Sequence, residues 1–224
     1  MTETEAHTMP KGFKRWQIAQ WFELRWWNNY LYGKNKTAYL NWKRGYWNKI
    51  LTEIGNHLQL NSSKTVLDLG CGPAGIFIAL PHNPVTAVDP LLDKYAAQTP
   101  FFNKEEYPNT SFVTAMMEDY EGPPFDIVFC LNAINHVRDM GAAFDTLRAH
   151  CKAGGTIVVT IDAHNYALAK HLFRLVPGDI LHPHQYDLAE YKNYTEKDGW
   201  QISLCQKLKH EFLFDHYLLV AKKH

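Results

Sequence analysis

A bias of charge is the first thing this chain lacks. Its 224 residues carry 23 Lys and Arg against 23 Asp and Glu, a formal net charge of zero. The basic residues are spread along the chain, so no electrostatic footprint for DNA or RNA stands out and no nucleic acid is expected as partner. Long apolar runs are missing too. None approaches the ~18 residues that a membrane-spanning helix needs, so no membrane is expected either. The opening Met1 to His7 is polar and acidic, unlike a secretory signal. Cysteine is scarce: Cys71, Cys130, Cys151 and Cys205 show neither metal spacing nor a paired framework, which fits reduced thiols in the cytoplasm. Internal repeats and low-complexity stretches are absent. What remains is 46 % apolar and 21 % charged, the composition of one soluble globular domain with a full core.

The most informative segment present is Thr65-Val-Leu-Asp-Leu-Gly-Cys-Gly-Pro-Ala-Gly75. It reads as a buried strand, a glycine turn and the start of a helix. Gly70, Gly72 and Gly75 fit a spacing that lets backbone turn tightly and approach a cofactor closely. Dinucleotide enzymes share that spacing, and Asp68 separates the two cases. A dinucleotide sets an anionic pyrophosphate at the helix start, where a neighbouring carboxylate repels it. A ligand bearing an ammonium and a sulfonium is attracted instead, which points to S-adenosyl-L-methionine. A second strand, Pro84 to Asp89, ends in an acid nineteen residues beyond Gly70, close to where a nucleotide fold expects its ribose ligand. Asp89 can equally cap the next helix, with Pro90 in its first turn. The two roles are compatible.

With these motifs the chain resembles the class I S-adenosylmethionine-dependent methyltransferases, in the branch acting on small molecules. Three further segments carry the likeness: Thr114 to Asp119 after a short strand, Phe125 to Val137, and Lys152 to Thr160. The match covers about residues 60 to 161 well. It implies a doubly wound α/β fold, a mostly parallel Rossmann-like sheet of seven strands with an antiparallel last strand. It also implies cofactor roles. Asp68 faces the methionine ammonium, Gly70, Cys71 and Gly72 form the close turn, and Asp89 with Pro90 lies at the ribose. Met117 and Glu118 flank the adenine, and Asn132 lines the cofactor beyond the fourth strand. The chain departs from many relatives at Pro73-Ala74, where they carry a glycine at the second position. Two rivals stand beside a methyltransferase. One is a non-catalytic module binding S-adenosylmethionine or its demethylated product, whose cofactor site looks the same. The other is a nicotinamide oxidoreductase, which Asp68 disfavours.

Along the chain, residues 1–12 are expected as a flexible tail, 13–60 as an N-terminal helical cap and 61–224 as the cofactor-binding domain. The cap holds two aromatic helices. The first has a stripe at 18, 21, 22 and 26; the second runs through Tyr39, Trp42, Tyr46, Trp47, Ile50, Leu51 and Ile54. Such stripes are expected to pack into the core. Beyond Asp162 a long connection is expected to hold a helix near 165–175, a loop over 176–185 and a further helix ending at Gly199, before two last strands.

A methyl donor brings its own reactive carbon, so the protein needs alignment and, for a protonated acceptor, a base. His136, after the fourth strand, and His184 are the candidate catalytic residues. His164 and His182, with Trp42 and Tyr46 of the cap, are candidates for contacting a small acceptor. Asp162, His164, His182 and His184 could suggest a metal, but their spacing matches no local metal motif, and none is expected.

Overall fold

The computed structural model describes residues 13–165 and 186–223, with side chains from Ile18 onward. The expected tail over 1–12, the 176–185 loop, and His182 and His184 lie outside the described residues, as does all but the start of the helix expected near 165–175. Seven strands form one sheet: β1 (Val66–Leu69), β2 (Val85–Val88), β3 (Thr110–Val113), β4 (Phe125–Cys130), β5 (Cys151–His164), β6 (Trp200–His210) and β7 (Phe214–Lys223). Their order is β3-β2-β1-β4-β5-β7-β6. All four residues of β1 are buried, as a central parallel strand covered on both faces requires. β1 pairs in parallel with β2 and with β4, so the strand order reverses at its carboxyl end. That reversal is where open α/β sheets form ligand crevices. β7 runs antiparallel to both β5 and β6.

Two cores sit on opposite faces of the sheet. One is built with α1 (Phe13–Leu31), α2 (Lys36–Glu53) and α3 (Leu92–Gln98), and the other with α4 (Met140–Ala149) and α5 (Leu188–Thr195). Caps fix the helix starts: Asn35 accepts from the Ala38 N–H, Asp139 from the Ala142 N–H, and Asp187 with Glu190 forms a capping box before α5. α5 stops at Thr195, and a short turn over Lys197–Gly199 leads into β6.

Two expectations are overturned. No α-helix starts at the glycine turn. Two tight turns follow it instead, Gly72–Ala74 and Ile76–Ala79, separated by an extended Gly75. The segment is apolar all round and buried, so it has no polar face to turn toward water. A Cβ on residue 75 would also lie 2.3 Å from Asp68 Oδ2, so the carboxylate occupies the space that a side chain there would take. The second correction concerns α1. Ile18, Trp21, Phe22 and Trp26, the stripe expected in the core, are 39–52 % exposed. The helix has a second face, which buries Ala19, Gln20, Leu24 and Leu31, and Leu24 and Leu31 join the core.

Candidate functional site

A cleft opens at the carboxyl edge of the sheet beside the β1–β4 reversal, enclosing about 720 Å³ including its mouth. Its floor is the glycine turn. Gly70 and Gly72 take φ of +72° and +57°, conformations that side chains disfavour. A Cβ on Gly70 would lie 2.3 Å from the Ala133 Cβ, so only glycine lets β1 turn this close to the loop after β4. The Gly70 and Cys71 N–H groups donate to the Val88 carbonyl, locking the turn to β2. Asp89 binds the same turn: Oδ2 accepts from the Gly72 N–H at 2.9 Å and Oδ1 from the Leu91 N–H at 2.8 Å. Asp89 is therefore not the N-cap of α3, which is Leu91 with no side-chain cap; its carboxylate closes a tight turn just ahead of that helix and lines the cleft with Pro90. Burial raises its carboxyl to about 6, against the pull of those two N–H groups.

Asp68 lies beneath the turn, 1 % exposed. Burial raises its carboxyl to about 7, although the Ile76 and Phe77 N–H groups favour the charged form. Its Oδ2 has no hydrogen-bond partner. Met117, Glu118, Asn132 and His136 line the far wall with Cys71 and Gly72. Glu118 is already engaged, since its Oε1 accepts from the N–H groups of Arg138 and Asp139. Asn132 holds a strained φ of +56°. Its N–H donates to Thr160 Oγ1 at 2.7 Å, and the Thr160 hydroxyl donates back to its Oδ1 at 3.0 Å. Burial lifts the Cys71 thiol well above its ordinary range, so it is no nucleophile.

The opposite wall comes from α1 and α2. Trp47 Nε1 donates to the Ala74 carbonyl at 3.0 Å, and Arg44 Nε donates to the Ile78 carbonyl at 3.0 Å, which fastens α2 to the glycine turn. Lys43 then enters the cleft, its ammonium 4.2 Å from the Trp47 ring and 4.9 Å from the Tyr46 ring. Burial lowers it to about 8 while the Asp68 charge opposes that fall. Tyr46 hydrogen-bonds Asn132, and burial raises its phenol.

A model of the methyltransferase domain matches residues 39–203. The chain belongs to this methyltransferase family. Curated relatives include the ubiquinone biosynthesis O-methyltransferase of Rickettsia typhi, 27 % identical over 136 residues, covering 59 % of this chain and 54 % of that one. The mitochondrial enzyme of the same name from Schizosaccharomyces pombe is 26 % identical over 171 residues, covering 68 % and 61 %. The chain thus spans a little over half the length of these curated relatives. Among solved structures, the 1,6-didemethyltoxoflavin N1-methyltransferase of Burkholderia thailandensis, with its substrate and S-adenosylhomocysteine bound, superposes with a TM-score of 0.64. It shares 13 % identity over 98 % of this chain and 93 % of that one. Magnesium protoporphyrin IX methyltransferase of Synechocystis, with S-adenosylhomocysteine, gives 0.57 at 17 % identity over 95 % and 94 %. At such identities the likeness is one of fold.

Within this family fold, not every candidate residue reaches the cleft. Trp42 is 58 % exposed and stacks on Tyr46, with ring centroids 6.4 Å apart. His164 is 6 % exposed at the end of β5, its ring 4.3 Å from Phe214, away from the cleft lining. Asp162 instead meets His216 of β7, Nδ1 to Oδ1 at 2.7 Å. Among the described residues no group of three or more His, Cys, Asp or Glu could hold a metal. Gln20, Glu23, Trp27 and Lys43 line the cleft although the sequence did not single them out. Periodicity shows that a helix has a polar face but not what that face meets; the isolated Glu23 in an aromatic, basic helix was the signal available.

Proposed function

We propose that this chain is an S-adenosylmethionine-dependent methyltransferase acting on an oxygen, nitrogen or sulfur atom of a small acceptor. The observation that carries this reading is Asp68. A buried carboxylate oxygen without a partner lies under a positive-φ glycine turn that forms the cleft floor; Ala133 fills the space beside Gly70, and Gly72 is the position with room for close approach. That arrangement suits a ligand with a cationic amine and penalises a pyrophosphate. When bound, the cofactor supplies an electrophilic methyl on a sulfonium. Asp68 then offers its oxygen to the amine, directly or through water. Lys43 offers the charge that the methionine carboxylate needs, and Asp89 the acceptors for the ribose hydroxyls. Met117 and Glu118 flank the adenine. The curated relatives are named as O-methyltransferases, which favours oxygen as the acceptor atom.

For the acceptor, Asn132 forms the wall beside the methionine end, with Tyr46 hydrogen-bonded behind it and outside the cleft lining, and His136 is the candidate base on the rim. Residues 13–60 serve as a cap over a catalytic domain of 61–224. No helix among the described residues is long and apolar enough to cross a membrane, and the four free cysteines support a cytoplasmic setting. The test is ligand-dependent melting. S-adenosylhomocysteine should raise the Tm through linkage and NAD should not. Saturable NAD binding in calorimetry, with none for S-adenosylhomocysteine, overturns the reading. Transfer of a labelled methyl from S-adenosylmethionine to a fraction of a small-metabolite extract identifies the acceptor.

A further inference from the structure

The cleft contains an acid on α1 for which the cofactor contacts so far named give no use. Glu23 faces Asp89 across it, and burial first, then the Asp89 charge, raise the Glu23 carboxyl. Gln20, one turn earlier, is 6 % exposed and donates its Nε2 to Glu23 Oε2 at 3.2 Å, while its Oε1 has no partner. The Trp27 side chain also hydrogen-bonds Glu23. Beneath them the hydroxyl of the fully buried Tyr95 is unpartnered too, within electrostatic reach of both Glu23 and Asp89. Two carboxyls and an amide oxygen therefore converge with no cation between them. Lys43, the lysine that lines the cleft, lies within electrostatic reach of Asp68. Two carboxyls without a third ligand do not make a metal centre. A site so rich in acceptors is matched by a ligand carrying adjacent neutral donors, and a vicinal diol has that chemistry.

We propose that Glu23 and Gln20 of α1 form the roof of a ribose subsite, accepting hydrogen bonds from the ribose diol of the cofactor opposite Asp89. The inference rests on the cofactor assignment above. It makes the N-terminal helix part of the cofactor site, so that seating the nucleoside and seating α1 are one event. The outward aromatic face of the same helix has no share in this.

Calorimetry with S-adenosylhomocysteine tests the roof. Glu23→Ala should weaken binding at least about tenfold, Gln20→Ala less, and Glu23→Gln by an intermediate amount, because a neutral acceptor remains. Trp21→Ala, on the exposed face, should bind as the wild type does, and far-UV circular dichroism checks that each variant keeps its helices. Competition by adenosine and 2′,3′-dideoxyadenosine separates a diol contact from general packing. The wild type should favour adenosine by at least about tenfold, and Glu23→Ala should narrow that preference at least about threefold. Unchanged affinity in folded Glu23→Ala, or an unchanged preference between the two nucleosides, overturns the roof. A wild type that ignores S-adenosylhomocysteine overturns the cofactor assignment with it, which is a different result.

Discussion

Aspartates stand at both ends of the central strands, and their surroundings are opposite. At the amino edge, Asp126 of β4 accepts from the Thr65 N–H at 2.9 Å and the Thr65 hydroxyl at 2.7 Å, with Lys152 at 3.0 Å and Lys64 at 3.3 Å. Those partners hold its carboxyl far below the usual range, the Thr65 hydrogen bonds first among them. At the carboxyl edge, Asp68, Asp89 and Glu23 are all pushed up by burial, to about 7, 6 and 8. One end satisfies its charge within the chain and clips β1, β4 and β5 together. The other leaves acceptors short of donors, a cost to the free protein that the proposed ligand would remove. Under the proposed function, the same residue type serves stability at one edge and binding at the other, and only the neighbours decide which.

The largest expected effects follow from exchanging these roles. Asp89→Ala removes the acceptors proposed for the ribose, and S-adenosylhomocysteine affinity should fall about 10- to 100-fold by calorimetry. Its Tm should move less, because relief of a buried charge offsets the loss of two backbone hydrogen bonds. An unchanged affinity in a folded variant would leave Asp89 only as the acceptor that ties the Gly72 and Leu91 turns together. Asp126→Ala should do the reverse. Denaturant unfolding should show a loss of about 1–2 kcal/mol after allowance for solvent screening, with S-adenosylhomocysteine affinity within about twofold of wild type. A variant that lost affinity and kept its stability would break the comparison.

The sequence made the floor of the site readable and left its roof hidden. Asp68, Gly70, Gly72 and Asp89 belong to one strand-turn-strand unit, in which local spacing fixes who meets whom. Seven strands with an antiparallel end followed from the same segment once its family likeness was clear. Glu23 and Lys43 reach the cleft only because α1 and α2 dock on the turn, through contacts such as Trp47 to Ala74 that span 27 residues. α1 also has two apolar faces, so periodicity does not say which one turns inward, and the Ile18, Trp21, Phe22 and Trp26 face turns outward. Charge hid the docking as well. Residues 13–53 hold eight Lys and Arg against Glu23 and Glu53, an excess that the neutral total conceals. The polar pair Asp162–His216 depends on the β5–β7 register, in which the two residues are directly opposite, and no local motif encodes that.

A smaller effect tests the methionine end of the cleft. Lys43 loses protonation ease through burial, and the Asp68 charge restores part of it. Lys43→Ala should weaken S-adenosylhomocysteine about three- to tenfold. It should leave 5′-methylthioadenosine, which has no carboxylate, nearly unaffected. Equal losses for both ligands would place Lys43 at the nucleoside and remove it from the methionine end.

The smallest effect, and the one that joins the two edges, is on pH. Asp68, Asp89 and Glu23 bind their protons more tightly folded than unfolded, so between their ordinary values, 3.8 for Asp and 4.5 for Glu, and about 8 the folded state holds more protons. Stability of the free protein therefore falls as pH rises through this window. Lys43, lowered to about 8, acts oppositely only above that value, up to its ordinary 10.5. Asp126 and Asp215, both held below the ordinary value, withdraw their stability only in acid. The Tm of the free protein should accordingly decline by a few degrees from pH 6 to 8. Ribose hydroxyls donate to ionised carboxylates, so the rise in Tm on saturation with S-adenosylhomocysteine should grow over the same interval. Glu23→Gln removes the group with the highest of the three values, and both trends should become shallower. Trends as steep in that variant as in the wild type would show that Glu23 is not the group that titrates, and that Asp68 and Asp89 carry the carboxyl edge by themselves.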